Sequence, residues 1–319
     1  MTLQEIYDLA IEMGIKADPR GAERVKKLLS RTKKEYEELA LAKKKFFDLE
    51  SLRNPYSDTR ILTGSGKTKV KKVLAGIDID VGEVLLADRL NQKGKGIDLL
   101  IGHHPHGAAL ASLDEVMDLQ VDLMASFGVS VNVAEALLKE RISQVKRRLG
   151  PANHFQSVDA ARLLEIPFLV IHTVWDNLGC DFISNYLKKK DLETVGEVLE
   201  ALENLPEFEE AKRGKAGPRI TSGNEKNRAG KVVVSGFTGG TEGSKLMYEK
   251  LAQAGVGTIV EMHMSEEHFE EAKKHHLNVI VSGHMASDSI GANIFLDALE
   301  RKGIAVIPCS GLIRVRRNK

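Results

Sequence analysis

Two adjacent histidines at the end of an apolar run are the clearest sign of chemistry in this sequence. Residues 99–102 are apolar or glycine, and His103, His104 and Pro105 follow them. Buried strands of α/β sheets carry polar residues at their carboxyl ends, where ligands gather. Adjacent strand residues point to opposite faces, so both imidazoles can bind metal only at a bend, which Pro105 favours. The pattern predicts one imidazole for each of two ions.

Two later segments repeat this design, with a carboxylate four residues after the histidine that ends an apolar run. His172 is followed by Asp176, and His284 is followed by Asp288. If the chain becomes helical directly after each strand, residues i and i+4 share one helical face and reach one site. Asp176 and Asp288 are the candidates to bridge two ions, which hydrolytic sites hold about 3.5–4 Å apart. The alternative is that these histidines are core or surface residues that only end strands.

This mixture of imidazole and carboxylate ligands predicts two divalent first-row metal ions as cofactors, namely Zn, Fe, Mn or Co. His172 is the candidate for orienting a ligand or moving a proton, with His263 and Glu261 as further candidates.

A glycine-rich loop between a predicted strand and a predicted helix is a candidate anion site. Free backbone N–H groups at such a position would bind the phosphate of a substrate. A tight strand-to-helix connection without a ligand explains the same glycines equally well. The candidate residues are Gly239, Gly240 and Thr241.

The elements that position these residues alternate between apolar strand runs and amphipathic segments, as in α/β domains. Strands are predicted at 73–79, 98–103, 167–172, 231–235, 257–262, 278–282 and 304–309. Helices are predicted at 82–93, 113–127, 133–148, 157–164, 180–189, 193–203, 244–254, 266–275 and 288–301. The polar, glycine-containing stretch 213–231 is predicted to be a linker or flexible loop.

The first fifty or so residues are strongly charged and read as helical. Thr2 and Glu5 form a capping-box pattern, and Asp18 with Pro19 predicts the start of a longer helix. A helical hairpin packed on the body or on a partner subunit is expected.

The predicted architecture is α/β, with two α/β lobes, a metal site in the cleft between them and an N-terminal helical extension. Its predicted boundaries are 1–60 for the extension, 61–212 for the first lobe and 213–319 for the second.

The three histidine segments resemble the Nif-three-like family of dinuclear-metal proteins, some members of which are named GTP cyclohydrolase I type 2. The matching blocks are GIDID and LLIGHHPHG between residues 76 and 107, IHTVWDNLGCDFISNYL at 171–187 and VIVSGHMASDSIG at 279–291. The resemblance extends over most of the chain from about Val70. It implies a homo-oligomer, with a hexameric ring as one form. The metal ligands that it implies are His103, His104, Asp176, His284 and Asp288.

The sequence departs from the family pattern in four places. Asp288 stands where the family usually has glutamate, and residues 54–60 replace a W-D-N-x-G-L stretch. An insertion that includes residues 132–150 lies between the first two blocks. The family's acidic residue before the last block is not evident, and Glu261 or His263 lies near its place.

Composition excludes several classes of protein. The chain has 319 residues, of which 42% are hydrophobic and 29% charged, as in globular proteins. It has no apolar run near 18 residues and no leader pattern, so no membrane span is expected and a cytoplasmic location is predicted. A net charge of +1 implies no large nucleic-acid surface. The two cysteines form no C-x-x-C pair that would build a thiolate metal site.

These features together predict a dinuclear-metal-dependent hydrolase that acts through a metal-bridging hydroxide. The expected partner is a small-molecule substrate that contains phosphate or resembles a nucleotide. GTP ring opening is one reaction that the family name implies. A non-catalytic metal-binding regulatory or interaction protein, or a metal carrier, fits the same residues.

Overall fold

The computed structural model, which describes residues 1–317, contains two mixed β-sheets covered by helices. This confirms the predicted α/β fold class. The larger sheet has five strands, and β1 at one edge runs antiparallel to β4 while the other pairs are parallel. In sheet order its strands are β1 (Thr59–Thr63), β4 (Phe168–Ile171), β3 (Leu99–Gly102), β2 (Lys72–Gly76) and β9 (Ala305–Cys309).

The smaller sheet has four strands and repeats this plan. An antiparallel strand, β5, forms one edge and pairs with β8, and the remaining pairs are parallel. In sheet order its strands are β5 (Arg219–Ser222), β8 (Asn278–Val281), β7 (Val256–Glu261) and β6 (Lys231–Val234). In each sheet, therefore, the antiparallel edge strand lies next to a strand that ends in a histidine segment.

Fourteen α-helices lie within residues 1–317, and two short 3₁₀ turns at Leu49–Leu52 and Leu113–Asp118 accompany them. The helices are α1 (Leu3–Lys16), α2 (Ala22–Glu38), α3 (Leu41–Lys44), α4 (Val81–Gln92), α5 (Gly107–Ala111), α6 (Leu119–Ser126), α7 (Val131–Leu149), α8 (Gln156–Leu163), α9 (Thr173–Lys188), α10 (Val195–Glu203), α11 (Pro206–Arg213), α12 (Met247–Gln253), α13 (Glu266–Lys274) and α14 (His284–Arg301).

The N-terminal helices differ from each other in burial. The predicted capping box of Thr2 and Glu5 is present at the start of α1, whose apolar face is part of the core beneath the larger sheet. Helix α2 buries only Val25. The predicted cap at Asp18 is wrong, because α2 begins after Gly21, and the Asp18 carboxylate instead accepts hydrogen bonds from Arg20.

All seven predicted strands are present, and the two edge strands β1 and β5 were missed. Strand β5 lies inside the stretch 213–231 that was predicted to be a linker, so that prediction is wrong for these residues. An edge strand needs few apolar residues, and Ile220 is the one aliphatic residue of β5.

Strand β9 returns to the larger sheet and pairs with β2. The proposed boundaries at residues 60 and 212 remain predictions.

Candidate metal centre

The carboxyl ends of β3, β4 and β8 deliver the three histidine segments to one place between the sheets. His103 and His104 follow β3 directly, and their backbone N–H groups donate to the Ile77 carbonyl beyond the end of β2. Helix α9 begins at Thr173 and α14 begins at His284, each immediately after its strand. Both helices begin earlier than the predicted 180 and 288, so the histidine and the carboxylate four residues later share one helical face, as the spacing predicted.

Helices α9 and α14 approach closely where two glycines meet. A Cβ atom at Gly291 would lie 1.9 Å from the Trp175 carbonyl oxygen, whereas one at Gly179 would meet its nearest atoms at 3.5 Å. Only glycine at position 291 therefore permits this crossing. The close packing brings Asp176 of one helix and Asp288 of the other towards the same imidazole, His103.

Asp288 lies at the middle of the group, and three imidazoles surround its carboxylate. The Nε2 atom of His103 is 3.6 Å from Oδ1, and those of His104 and His284 are 3.7 and 3.4 Å from Oδ2. Asp176 approaches His103 Nε2 at 3.2 Å and His172 Nε2 at 3.9 Å. His103 and Asp288 are buried, whereas the His104 and His284 side chains are 26% and 38% exposed, so the centre opens on their side.

The Asp288 carboxylate is buried without a hydrogen-bond donor. Among residues 1–317, no donor reaches either of its oxygens in hydrogen-bond geometry. A buried carboxylate without hydrogen-bond donors costs several kcal/mol, which a protein tolerates only when positive charge compensates it. Two ligands of a tetrahedral ion with bonds of about 2.1 Å lie about 3.4 Å apart, which matches the spacing between Asp288 and its imidazoles. The residues therefore fit a divalent cation.

Three of the imidazoles are oriented by a second hydrogen bond through Nδ1. His103 Nδ1 donates to the Ile171 carbonyl at 3.0 Å. His104 Nδ1 lies 2.6 Å from Asp78 Oδ1, and His172 Nδ1 lies 2.8 Å from Asp58 Oδ2. Such partners fix the tautomer and point Nε2 at the centre, as in many metal sites.

Asp58 and Asp78 were missed by the sequence analysis. Asp78 belongs to the GIDID block at the end of β2, and a polar residue at that sheet edge was the available signal. Asp58 precedes the unpredicted strand β1, in the stretch that replaces the family motif. No local pattern there indicated a partner for His172, which lies 114 residues away along the chain.

The pKa values at the centre follow from burial and mutual charge. Burial lowers the pKa of His103, but Asp288 and Asp176 outweigh it and hold that pKa well above its usual value. Burial raises the pKa of Asp288, yet the neighbouring imidazoles, above all that of His103, bring it to about 2. Burial lowers the pKa of His284 to about 4. The metal-free centre thus holds a proton on His103 beside an ionised Asp288, with His284 neutral.

Three groups of side chains each bring possible ligand atoms within 4.8 Å of one another. Every one of the five ligands that the resemblance implied occurs in these groups, and His172 joins them; the assignment of these residues as ligands remains a prediction. The groups are His103 with His104 and His172, His104 with His284 and Asp288, and His103 with Asp176 and Asp288.

The other candidate residues lie beside this centre. The His263 ring contacts the His284 ring at a centroid distance of 4.6 Å, and His263 Nδ1 is 3.4 Å from Glu242. Glu261 is buried next to Tyr248, outside the three groups.

The glycine-rich loop lines the cleft at Gly240 and Thr241, but it does not start a helix as predicted. Helix α12 begins at Met247, three residues later than the predicted 244. The Gln120 side-chain amide donates to the carbonyls of Gly239 and Thr241, both at 2.7 Å, and so occupies one side of the loop. An anion site at Gly239, Gly240 and Thr241 remains a prediction.

The chain combines an α/β fold with buried His/Asp groups that could bind metal ions. The chain is similar to a NIF3 superfamily protein from Sphaerobacter thermophilus, with 29% identity over 98% of this chain and 99% of that chain, at a TM-score of 0.76. The predicted resemblance to the Nif-three-like family is therefore confirmed.

A second solved structure shares the fold. It is reduced HcgD from Methanocaldococcus jannaschii, with 14% identity over 83% of this chain and 93% of that chain, at a TM-score of 0.51. No protein-family model matches the sequence, and no curated protein does. Within the described part of the chain, no helix combines the length and the apolar character that a membrane span requires.

Proposed function

We propose that this protein is a metal-dependent hydrolase that acts on a small phosphate-containing or nucleotide-like substrate. The observation that carries the proposal is the buried Asp288 carboxylate, which lacks hydrogen-bond donors within residues 1–317 and has three imidazole Nε2 atoms 3.4–3.7 Å away. A cation is the partner that such a group requires. His103, His104, Asp176, His284 and Asp288 would hold two divalent ions, of which Zn, Fe, Mn and Co suit the ligand set.

When bound, such ions lower the pKa of water towards neutrality and stabilise negative charge on the attacked group. The protein itself holds the ligand side chains in a fixed orientation. The Nδ1 contacts of His103 and His104 fix both rings before any ion binds, since they point both Nε2 atoms at the Asp288 carboxylate. Preorganised ligands reduce the reorganisation that binding would otherwise require.

His172 is the residue that we propose moves a proton. Its Nδ1 atom donates to Asp58, a carboxylate with no exposed surface that also accepts from the Thr173 hydroxyl. This contact leaves Nε2 free to accept a proton inside the cleft. Burial lowers the pKa of His172, and Asp176 and Asp58 more than reverse this, so its pKa lies above the usual value. His263 and Glu261 are the weaker proton-transfer candidates, because neither belongs to the three groups of possible ligands.

The size of the cleft limits what part of a substrate reaches the centre. The cleft has a volume of about 40 Å³ and is lined by imidazoles, by the two aspartates and by the loop at 236–242. A phosphoryl head group matches this size, and the bound divalent ions would supply the positive charge that it requires. The rest of a substrate would lie outside, on the side where His104 and His284 are exposed. GTP, which the family name implies, is one candidate among nucleotides.

Metal content per chain tests this proposal first. We expect about two first-row ions per chain in protein purified without a metal-affinity tag, and fewer in His104→Ala and Asp288→Ala. His275→Ala, which changes an imidazole on the C-terminal cap of α13, is the matched control and keeps the wild-type content. A metal-free wild type that stays folded would contradict the metal centre.

Turnover is then assayed with phosphoesters and nucleotides on the same variants. Hydrolysis that falls in parallel with metal content supports the hydrolase. Full metal loading without turnover of any phosphoester or nucleotide would instead favour a non-catalytic metal-binding protein. Ready exchange of the metal with weak chelators would favour a carrier.

A further inference from the structure

A second cavity adjoins the cleft at the metal centre. It has a volume of about 40 Å³ and lies between α6, the glycine-rich loop and strand β7. Because five residues line both spaces, the two spaces lie side by side, within the reach of one small molecule. The five shared residues are Gly236, Thr238, Thr241, Glu242 and His263.

Glu261 is the buried carboxyl group on the wall of this cavity. Its side chain comes from the last residue of β7, and the residue is 5% exposed. The Tyr248 hydroxyl lies 3.1 Å from both carboxylate oxygens and can donate its single proton to only one of them at a time. No lysine, arginine or histidine within residues 1–317 forms an ion pair with Glu261. Within the described part of the chain, the carboxyl group therefore lacks an ion-pair partner.

The neighbouring acid, Glu242, is already satisfied. Its carboxylate lies 3.4 Å from His263 Nδ1 and accepts from the Ser265 backbone N–H at 2.8 Å. Glu261 has no comparable set of donors. Burial is the main cause that raises the pKa of Glu261 to about 8, as expected for a carboxyl group without an ion-pair partner.

Gly236 leaves one side of Glu261 open. A Cβ atom at position 236 would lie 3.4 Å from Glu261 Cδ, in van der Waals contact with the carboxyl group. Glycine there keeps that side free for a ligand. At about 40 Å³ the cavity is as small as the neighbouring cleft, so it suits a single small group.

We propose that this cavity is a subsite for a cationic N–H-bearing group of the substrate, an amine or amidine, whose partner is the Glu261 carboxylate. The acidic head group of the same molecule lies at the adjoining metal centre, so the inference rests on the proposed function for that half of the substrate. The ligand supplies the positive charge that Glu261 lacks. Tyr248 keeps the carboxyl group in place through its hydroxyl, and Glu242 and His263 line both spaces.

Binding of two isosteric phosphates tests the subsite. O-phosphoethanolamine and propyl phosphate differ by an ammonium in place of a methyl group. By calorimetry on zinc-loaded protein, we expect the aminated compound to bind at least about tenfold more tightly, since a hydrogen bond to a charged group contributes about 1.5–3 kcal/mol. Glu261→Gln keeps an acceptor for Tyr248 and should abolish this preference. Glu267→Gln, an exposed carboxylate paired with Lys245, is the control and should retain it.

The outcomes separate the two proposals. Equal affinities in the wild type, a preference that survives in Glu261→Gln, or no binding of either phosphate overturns the subsite. A thermal unfolding scan of Glu261→Gln verifies that it is folded. Turnover is measured separately. Hydrolysis by a protein that binds both phosphates equally overturns the subsite but retains the hydrolase. Tighter binding of O-phosphoethanolamine without any turnover retains the subsite and overturns the hydrolase.

Discussion

Each imidazole that faces the centre through a fixed Nε2 depends on one partner at Nδ1, and for His104 that partner is Asp78. Removing the carboxylate in Asp78→Ala frees the ring to rotate. We expect metal affinity to fall about 10–100-fold while the fold is kept. Competition with a chelating dye measures this. Asp88→Ala in α4, which removes a carboxylate that accepts from Gln92, is the control and should bind metal like the wild type. Equal affinities in the two variants would contradict the role of Asp78.

The proton on His103 predicts how metal binding depends on pH. A metal ligand must be neutral imidazole, and the pKa of His103 is raised well above its usual value, so binding has to displace a proton. Affinity should therefore rise with pH until that pKa is passed. Zinc titration in weakly buffered solution with a pH indicator should show proton release near neutral pH. His103→Ala should release fewer protons, and zinc uptake by the wild type without release would contradict the prediction.

Sequence alone identified the imidazoles and carboxylates that the structure brings together. Their signal was local, because each ends an apolar run and has its partner within four residues. The orienting groups were beyond reach, since Asp58 meets His172 through the antiparallel pairing of β1 with β4, which no pattern near Asp58 predicted. Glu261 was named as a candidate from the sequence, but its surroundings could not be predicted. Tyr248 and Gly236 come close to it only in the folded chain.

At the scale of elements, the crossing of α9 and α14 sets the spacing of the centre. Gly291→Ala places a methyl group 1.9 Å from a backbone carbonyl, so the helices must separate. We expect a loss of about 1–3 kcal/mol or more in the free energy of unfolding, together with reduced metal content. Chemical denaturation and metal analysis measure the two effects.

Gly179→Ala is the matched control at the same crossing. The added methyl group meets its nearest atoms at an ordinary 3.5 Å, so both stability and metal content should stay close to those of the wild type. If the two alanine variants behaved alike, close approach at Gly291 would not explain the geometry of the centre.

Helices α6 and α7 hold the glycine-rich loop in position. Gln120 of α6 donates to two loop carbonyls, and Arg141 of α7 donates to the carbonyl of Glu242. Gln120→Met keeps the volume but leaves buried acceptors unsatisfied, at a cost of about 1–3 kcal/mol. Unfolding in urea should show this loss, and hydrogen exchange should quicken in residues 236–243. Gln144→Met, at an exposed position of α7, is the control, and unchanged exchange in Gln120→Met would contradict the role of Gln120.

Helix and strand predictions succeeded where one face or both faces are apolar. Strands β3 and β4 are buried throughout, and their continuous apolar runs were recognised. Strands β1 and β5 pair along one side only and have mixed sequences, so periodicity gave no signal. The starts of α9 and α14 were placed late, because the polar residues that begin them serve the site instead of forming an apolar stripe.

At the scale of the whole molecule, the segment after α2 leaves large apolar side chains in solvent. Leu41 and Phe46 are 86% and 83% exposed. A homo-oligomer, with a hexameric ring as one form, remains our prediction, and this segment is the expected contact because clustered exposed apolar residues mark interaction sites. Light scattering should give a mass that is a multiple of 35.1 kDa. Leu41→Ser with Phe46→Ser should lower that mass, and a monomeric wild type would contradict the prediction.

The return of β9 to the larger sheet has a consequence for how the protein is made. Strand β2 is complete once Gly76 has been synthesised, but its neighbour begins only at Ala305, close to the end of the chain. Until then one side of β2 is an open strand edge, a template for unwanted pairing on a nascent chain. The smaller sheet, by contrast, comes from the contiguous stretch 219–281 and is complete before β9 is synthesised. The larger sheet is therefore finished last, and a chain that stops near residue 300 would carry all the candidate ligands with β2 still uncovered.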